Sequence, residues 1–477
     1  MNETHISSTH RELFYRDATD LAQLIRTKQV SPVEVVRSHL DRIDAVNGRI
    51  NAVTTLLSES ALRQAERAEQ AVLDGRDLGP FHGVPFTIKD SIDLAGVPTQ
   101  AGSKLLADNV PVQNATVVQR MRGSGAIALA KTNVPEFSYW TETDNVLTGR
   151  TNNPWNLERT AGGSSGGESA SIAAGMSPMG LGSDVAISVR GPAALTGIVG
   201  LKATHGRIPY TGHFPRFLSR YWHIGPMART VRDVAAMYQL LKGSDGIDPY
   251  AVQATDAAPA NAPIAGRPLR IGFMSRDGFG PTDPEVSAAV EAAAELLRRA
   301  GHAAQETSID VLARNDFVGI GVTLTTGEML PEFQRMVEGR EADLFFVAAH
   351  IAKQPDPVLR DYVDAQMLVQ ELRSAFAKYF EQFDVLLCPV IPFTAPLHRQ
   401  TEYVVDGQKI VSTQIKRATV PFNLSGLPAL SVPLRMSSEG LPINVQVVTR
   451  WWDEDTAFRV GALIECASTV WEKLPQL

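Results

Sequence analysis

The chain has 477 residues, 44% of them hydrophobic and 20% charged, with a formal net charge of -7. This is ordinary composition for a globular protein with a large core, and the absence of any basic block excludes nucleic acid as the expected partner. Two cysteines, Cys388 and Cys466, share no CxxC spacing, which argues against a disulfide framework and for a reducing compartment. No signal-peptide pattern opens the chain, and no apolar run approaches the ~18 residues of a membrane span. A cytoplasmic location without membrane contact is therefore expected.

Residues 17–75 read as helices. Ser31-Pro32-Val33-Glu34 is a capping box with proline at the first helical position. Val36, Leu40 and Ile43 then recur on one helical face, and a second helix is expected over about Glu59 to Leu73. From Phe86 onward, short apolar runs (Phe86-Thr87-Ile88, Ala126 to Leu129) alternate with helical stretches such as Ala115 to Arg122, which predicts α/β layers. Residues 160–206 are dense in Gly, Ser and Ala, as tight turns and close backbone approach require. Residues 244–268 lack periodicity and read as a surface linker. Beyond them, Leu269 to Phe273 reads as a strand and Pro284 to Ala300 as a helix ended by Gly301. Residues 310–380 read as largely helical, and Asp384 to Pro389 as a buried strand halted by proline.

The segment Gly162-Gly163-Ser164-Ser165-Gly166-Gly167-Glu168 formally contains GxSxG. A nucleophile elbow needs a central strand before it, and Asn156 to Thr160 is too polar for one. A phosphate loop also fails, because no Lys-Ser or Lys-Thr closes the glycines. A linker of Gly and Ser would not run into a long block of small apolar residues.

Together with Gly182-Ser183-Asp184, Ser188-Val189-Arg190 and Gly200 to Arg207, this segment resembles the amidase signature family. Gly83 to Asp90 is similar to the part of that family that carries its catalytic lysine. Lys131 to Phe137, Ile224 to Thr230 and Asn423 to Ala429 are similar to further family segments. The likeness runs from about Asp20 to Glu465 and is weakest over about 250–380. It implies a single α/β/α domain over 1–477 around a mixed, mostly parallel twisted sheet flanked by helices. Within it, 17–75 would be N-terminal helices, 76–243 the catalytic core, 244–380 a linker and variable helical region, and 381–477 the return to the core sheet.

The resemblance assigns Ser188 as nucleophile, Ser164 as proton relay after a cis peptide bond, and Lys89 as base. A serine hydroxyl needs a base, and lysine serves only when neutral, which burial promotes. The backbone N–H groups of Val185, Ala186, Ile187 and Ser188 would form the oxyanion hole, where one donor is worth about 2.7–4 kcal/mol. Ser165, Asp184 and Arg190 would support the site, the last two as a buried ion pair or loop brace, and Thr204 would bond a loop. The family usually has two glycines where this chain has Ala186 and Ile187, and a β-branched residue resists positive φ. The loop must therefore run at negative φ or be reshaped.

Tyr139, Trp140, Phe214, Phe217, Tyr221 and Trp222 are candidate pocket residues; His213 to His223, with Arg216 and Arg220, is a candidate loop over the site. An aromatic pocket suits aryl amides, anilides and aryl carbamates. The expected activity is a serine amidohydrolase of bulky or aromatic small molecules, with carbamate (urethane) and ester cleavage open by the same chemistry. Two alternatives stand beside it: the glutamine-hydrolysing subunit of a tRNA-dependent amidotransferase, and a non-catalytic binding relative. No histidine has metal-ligand spacing, so His205, His213 and His223 read as core or pocket residues, and no metal or cofactor is implied. Homodimers are common in the family, which leaves that assembly open.

Overall fold

The computed structural model describes residues 12–215, 220–253, 267–276 and 278–477. The N-terminal region forms α1 (Ala18–Arg26), α2 (Pro32–Ile50) and α3 (Ser58–Leu73), with strand β1 (Val53–Leu56) between the last two. The capping box at the start of α2 is present: the Glu34 N–H donates to the Ser31 hydroxyl, and the Ser31 N–H donates to the Glu34 carboxylate. β1 corrects the all-helical reading of 17–75. Its four residues pair antiparallel with a distant strand, a non-local partner that helical periodicity cannot reveal.

The central region runs through β2 (Pro85–Lys89), α4 (Thr116–Gly123), β3 (Ile127–Thr132), the hairpin β4 (Asn152–Asn153) and β5 (Asn156–Thr160), α5 (Gly166–Ala173), β6 (Met179–Asp184), α6 (Arg190–Thr196), β7 (Val199–Lys202), β8 (His223–Ala228) and α7 (Val231–Leu241). The polar segment at 156–160 is a strand, but it lies outside the large sheet, in a two-stranded hairpin that also bridges to Leu397 through Arg159. Then come β9 (Arg270–Phe273), α8 (Pro284–Arg299), β10 (Ala303–Glu306), α9 (Asp310–Arg314), α10 (Phe317–Val337), α11 (Phe346–Ala352) and α12 (Leu359–Gln382). The chain finishes with β11 (Val385–Pro389), the hairpin β12 (Glu402–Val405) and β13 (Gln408–Val411), α13 (Val420–Ser425), β14 (Ala429–Met436), β15 (Pro442–Thr449) and α14 (Glu454–Cys466). The interior of the linker expected at 244–268 lies outside the described residues.

Eleven strands form one mixed sheet in the order β1-β3-β2-β6-β8-β7-β14-β15-β11-β9-β10. Parallel pairing joins β3-β2-β6 near one end and β11-β9-β10 at the other. The strands between them pair antiparallel.

Alternation along the strands feeds two faces. Phe86 and Ile88 of β2 and Val385 and Leu387 of β11 share a cluster with Leu21 of α1, Val117 of α4, Val234 of α7, Val290 of α8 and Phe458 of α14. The intervening Leu386 and Cys388 pack instead with Phe376 of α12 and Phe422 of α13. Ile127 and Leu129 of β3 meet Ile43 of α2 and Ala65 of α3. This two-faced burial is why helices flank the sheet on both sides. It also places Thr87 and Lys89 on the face opposite Phe86 and Ile88. Among the described residues, no helix is long and apolar enough to cross a membrane.

Candidate active site

Lys89 ends β2 with its side chain fully buried. Its Nζ donates to Ser164 Oγ at 2.6 Å, to Ser183 Oγ at 3.0 Å and to the Ser183 carbonyl at 3.4 Å. Burial lowers its pKa to about 7, against the pull of the Asp184 and Glu168 carboxylates toward the charged form. A buried lysine titrating there can hold or release a proton near neutral pH.

Ser164 is fully buried and follows a cis Gly163–Ser164 peptide bond. Gly163 is required by close approach: a Cβ there would lie 2.6 Å from the Glu142 nitrogen and from the Trp140 carbonyl oxygen. The backbone at Trp140 to Glu142 therefore seats directly on the loop that carries Ser164.

Ser188 follows β6 by a short loop and is 4% exposed. Ser165 braces this loop, its N–H donating to the Ser188 carbonyl at 3.2 Å and its hydroxyl to the Ser183 carbonyl at 3.3 Å. Ser183 touches both Lys89 and Ser165, a role that sequence reasoning misses. A serine within a strand carries no local signal of such contacts.

None of Val185, Ala186, Ile187, Ser188 or Val189 has positive φ. The Ala186-Ile187 pair is thus accommodated at negative φ. Ile187 is buried with Leu195, Val390 and Phe393, whereas Val185 and Ala186 are half-buried. Among the described residues, the N–H groups of Val185, Ala186, Ile187 and Ser188 have no hydrogen-bond acceptor.

Asp184 and Arg190 form the buried ion pair, with Nε to Oδ2 and Nη2 to Oδ1 both at 3.0 Å. The Asp184 carboxylate also accepts from the Val189 N–H at 3.1 Å and from Asn423 Nδ2 at 3.0 Å. Burial alone would raise its pKa, but Arg190 and these hydrogen bonds prevail and hold it at about 2. Arg190 reaches further, to the Thr419 carbonyl at 3.1 Å and Gln446 Oε1 at 2.9 Å, so the pair ties the loop to α13 and β15.

Three of the aromatic candidates, Tyr139, Phe214 and Trp222, meet at one apolar cluster. Tyr139 and Trp140 are half-buried on the segment that seats against Gly163. Tyr139 packs edge-on to Phe333 of α10, and Trp140 edge-on to Phe346 of α11. Phe214 lies 5.8 Å, ring to ring, from Phe137. Tyr221 and Trp222 are each 2% exposed and belong to separate core clusters, and Tyr139 and Phe214 pack against the cluster that holds Trp222. Phe217 and Arg216 lie outside the described residues.

The histidines are held by neighbours. His213 Nε2 is 3.1 Å from Ser91 Oγ, and His223 Nδ1 donates to the Asp184 carbonyl at 3.3 Å. His205 packs edge-on to His223. Thr204 Oγ1 accepts from the Trp452 N–H at 2.9 Å. Among the described residues, no group of His, Cys, Asp and Glu is arranged to hold a metal ion.

The amidase family model matches residues 34–458. The chain belongs to the amidase signature family. It is a hydrolase acting on carbon–nitrogen bonds other than peptide bonds. The acylamidase of Rhodococcus erythropolis is 34% identical over 478 residues, covering 98% of each chain. A glutamyl-tRNA(Gln) amidotransferase component from Acidothermus cellulolyticus, one subunit of that enzyme, is 36% identical over 488 residues, covering 96% of this chain and 95% of that one. The solved structure of 6-aminohexanoate cyclic dimer hydrolase with its substrate matches with a TM-score of 0.85 at 32% identity, covering 97% of this chain and 99% of that one.

Proposed function

We propose that this amidase cleaves amides of bulky or aromatic small molecules through an acyl-enzyme on Ser188, with Ser164 as relay and Lys89 as base. The observation that carries the reading is the buried contact of 2.6 Å between Lys89 Nζ and Ser164 Oγ, at a lysine brought down to about 7.

Neutral Lys89 takes the Ser164 proton as Ser164 takes that of Ser188, and the Ser188 oxygen attacks the substrate carbonyl. The unpartnered N–H groups of Val185 to Ser188 receive the developing oxyanion. As the tetrahedral intermediate collapses, the proton returns from the Lys89 ammonium through Ser164 to the leaving amine. Water then attacks the acyl-enzyme with the same groups in the same roles and releases the acid and free Ser188. Ser165 and the Asp184–Arg190 pair hold the loop in place. A carbamate or ester carbonyl offers the same electrophile, so aryl carbamates and aryl esters fall within the reach of this chemistry.

The aromatic preference is supported by Tyr139 and Trp140, whose segment contacts the Ser164 loop, and by the likeness to an acylamidase. A second reading, glutamine hydrolysis within an amidotransferase complex, is favoured by the extent of the likeness to the amidotransferase component.

The test is hydrolysis of glutamine, a short aliphatic amide, an anilide, an aryl ester and an aryl carbamate by the purified protein and its Ser188→Ala variant. Turnover of the aromatic members, lost in the variant, is the expected result. Turnover of glutamine alone would replace the reading with the second one. No turnover, with no capture of Ser188 by a serine-reactive phosphonate, would overturn both.

A further inference from the structure

The buried carboxyl of Glu168 takes no part in the steps above, yet three strands build a slot for it. It extends from the first turn of α5 and is fully buried. Thr87 and Lys89 are two apart on β2 and share one face of the sheet. Thr132 of β3 stands opposite Lys89 in the parallel register. Thr132 Oγ1 donates to Glu168 Oε2 at 2.8 Å, and Thr87 Oγ1 donates to Oε1. Gly180 of β6 pairs with Thr87, and a Cβ there would fall 1.8 Å from Glu168 Oε1. Only glycine leaves the carboxyl its room.

Among the described residues, no cation forms an ion pair with this carboxyl; its hydrogen bonds come from the two threonine hydroxyls. Burial pushes its pKa up, while the threonines and Lys89 draw it down. The other charges nearby are already engaged. Asp184 pulls Lys89 toward the charged form more strongly than Glu168 does, but Arg190 keeps it ionised down to about pH 2, so its charge does not change in the range where Lys89 titrates. Lys131 sits one residue before Thr132, on the other face of β3, in an ion pair with Asp90 at 3.2 Å. His213, bonded to Ser91 and Tyr210, carries no charge in this range, because burial holds its pKa well below the ordinary value. Glu168 is thus the acid near Lys89 that has no ion-pair partner among the described residues and whose own titration burial moves toward that of the lysine.

We propose that Glu168 is a positioning residue that sets the basicity of Lys89, the two groups titrating as one pair held in register by Thr87 and Thr132. The inference rests on the reading of Lys89 as base. In the pair, the Glu168 carboxylate favours the Lys89 ammonium, and a protonated Glu168 releases Lys89 to act as a neutral amine at lower pH. Whichever proton leaves first, the loss from one group is felt by the other.

The experiment measures the rate of covalent capture of Ser188 by a fluorophosphonate across pH. Capture needs the base and makes little demand on a substrate pocket. Glu168→Gln keeps the shape and removes the charge, so the midpoint of the rise in rate is expected to move to lower pH by about one unit. Thr132→Val strips one hydroxyl from the carboxylate, which then stays protonated to higher pH; the same shift is expected, smaller in size. Unmoved midpoints in folded variants would overturn the inference, since a purely structural role changes the rate or the melting temperature without moving the profile. Thr132→Val decides the matter alone should Glu168→Gln fail to fold. Lys89→Met separates the two layers. Wild-type capture in that variant overturns the base reading and this inference with it. An inert Lys89→Met beside an unmoved Glu168→Gln overturns only the role of Glu168.

Discussion

Ile187 lies directly over Gly191: a Cβ on the glycine would sit 2.4 Å from Ile187 Cγ1 and 2.8 Å from Cδ1. The contact joins the third residue of the loop after β6 to the second residue of α6. An isoleucine in place of glycine thus fills space that the first turn of α6 leaves open, and its side chain anchors the loop in the cluster around Val390 and Phe393.

Gly191→Ala forces Ile187 out of that seat. Overpacking of this kind costs about 1–3 kcal/mol, and alanine's helix preference returns at most ~1 kcal/mol. A net destabilisation of roughly 1–2 kcal/mol is expected in urea unfolding. Under the proposed role of this loop as oxyanion donor, activity should fall further than stability, by about 100-fold in kcat. Adding Ile187→Ala removes the clashing atoms, so the double variant should be more stable than the sum of the single losses. Strict additivity would show that the two side chains do not compete for the space.

The Asp184–Arg190 pair is fully buried. Arg190→Leu leaves the Asp184 carboxylate without its cation, for an expected loss of about 3–5 kcal/mol. Because the folded-state pKa of Asp184 is held at about 2, below its ordinary value of about 3.9, the pair's contribution is present above that value and is lost as pH falls toward 2. Denaturation midpoints of wild type and variant should therefore converge between pH 4 and pH 2. Curves that stay parallel through this window would remove Asp184 as the source of the difference.

How much of this was legible in the sequence follows the range of each interaction. The capping box at Ser31 and Glu34 is local, and it is found as expected. So are the start of α8 at Pro284 and the halt of β11 at Pro389. β1 escapes a sequence reading because four residues pairing with β3 leave no periodic trace between two helices. The contact of Lys89 with Ser164 spans 75 positions; only the joint family pattern points to it. Glu168 escapes for a different reason. An acid in the first turn of a helix reads as a complement to the helix dipole, and its burial depends on Thr87, Thr132 and the missing Cβ of Gly180 on three separate strands. Tyr221 and Trp222 show the reverse. Aromatic character suggests a pocket, and the sequence does not show that both side chains are buried to 2% within apolar clusters.

Lys89 sets stability against activity. Burial holds its folded-state pKa at about 7, below the ordinary lysine value of about 10.4, so the unfolded chain binds more protons between those limits. Stability should accordingly rise with pH across that window. Lys89→Met removes the burden of burying the amine. It should melt at a higher temperature than wild type at pH 7, by a margin that narrows toward pH 10, while hydrolysis is lost. Equal margins at both pH values would mean that Lys89 carries no shifted titration in the folded protein.

Phe333 links the helical region after residue 310 to the site. From α10 it meets Phe137 edge-on at 5.5 Å and Tyr139 edge-on at 5.6 Å, and it is fully buried. Tyr139 precedes Trp140, whose carbonyl oxygen would lie 2.6 Å from a Cβ on Gly163. A short chain of contacts therefore runs from α10 to the cis peptide before Ser164. Phe333→Ala opens a cavity at the base of that chain, with an expected loss of about 3–5 kcal/mol. Phe333→Leu keeps most of the volume and should cost less than about 1.5 kcal/mol. Under the proposed role of Tyr139 and Trp140 in seating an aryl group, its effect on kcat/KM should be larger for an anilide than for a short aliphatic amide. A Phe333→Leu variant that slows both substrates equally would uncouple α10 from substrate choice and leave Phe333 a core residue alone.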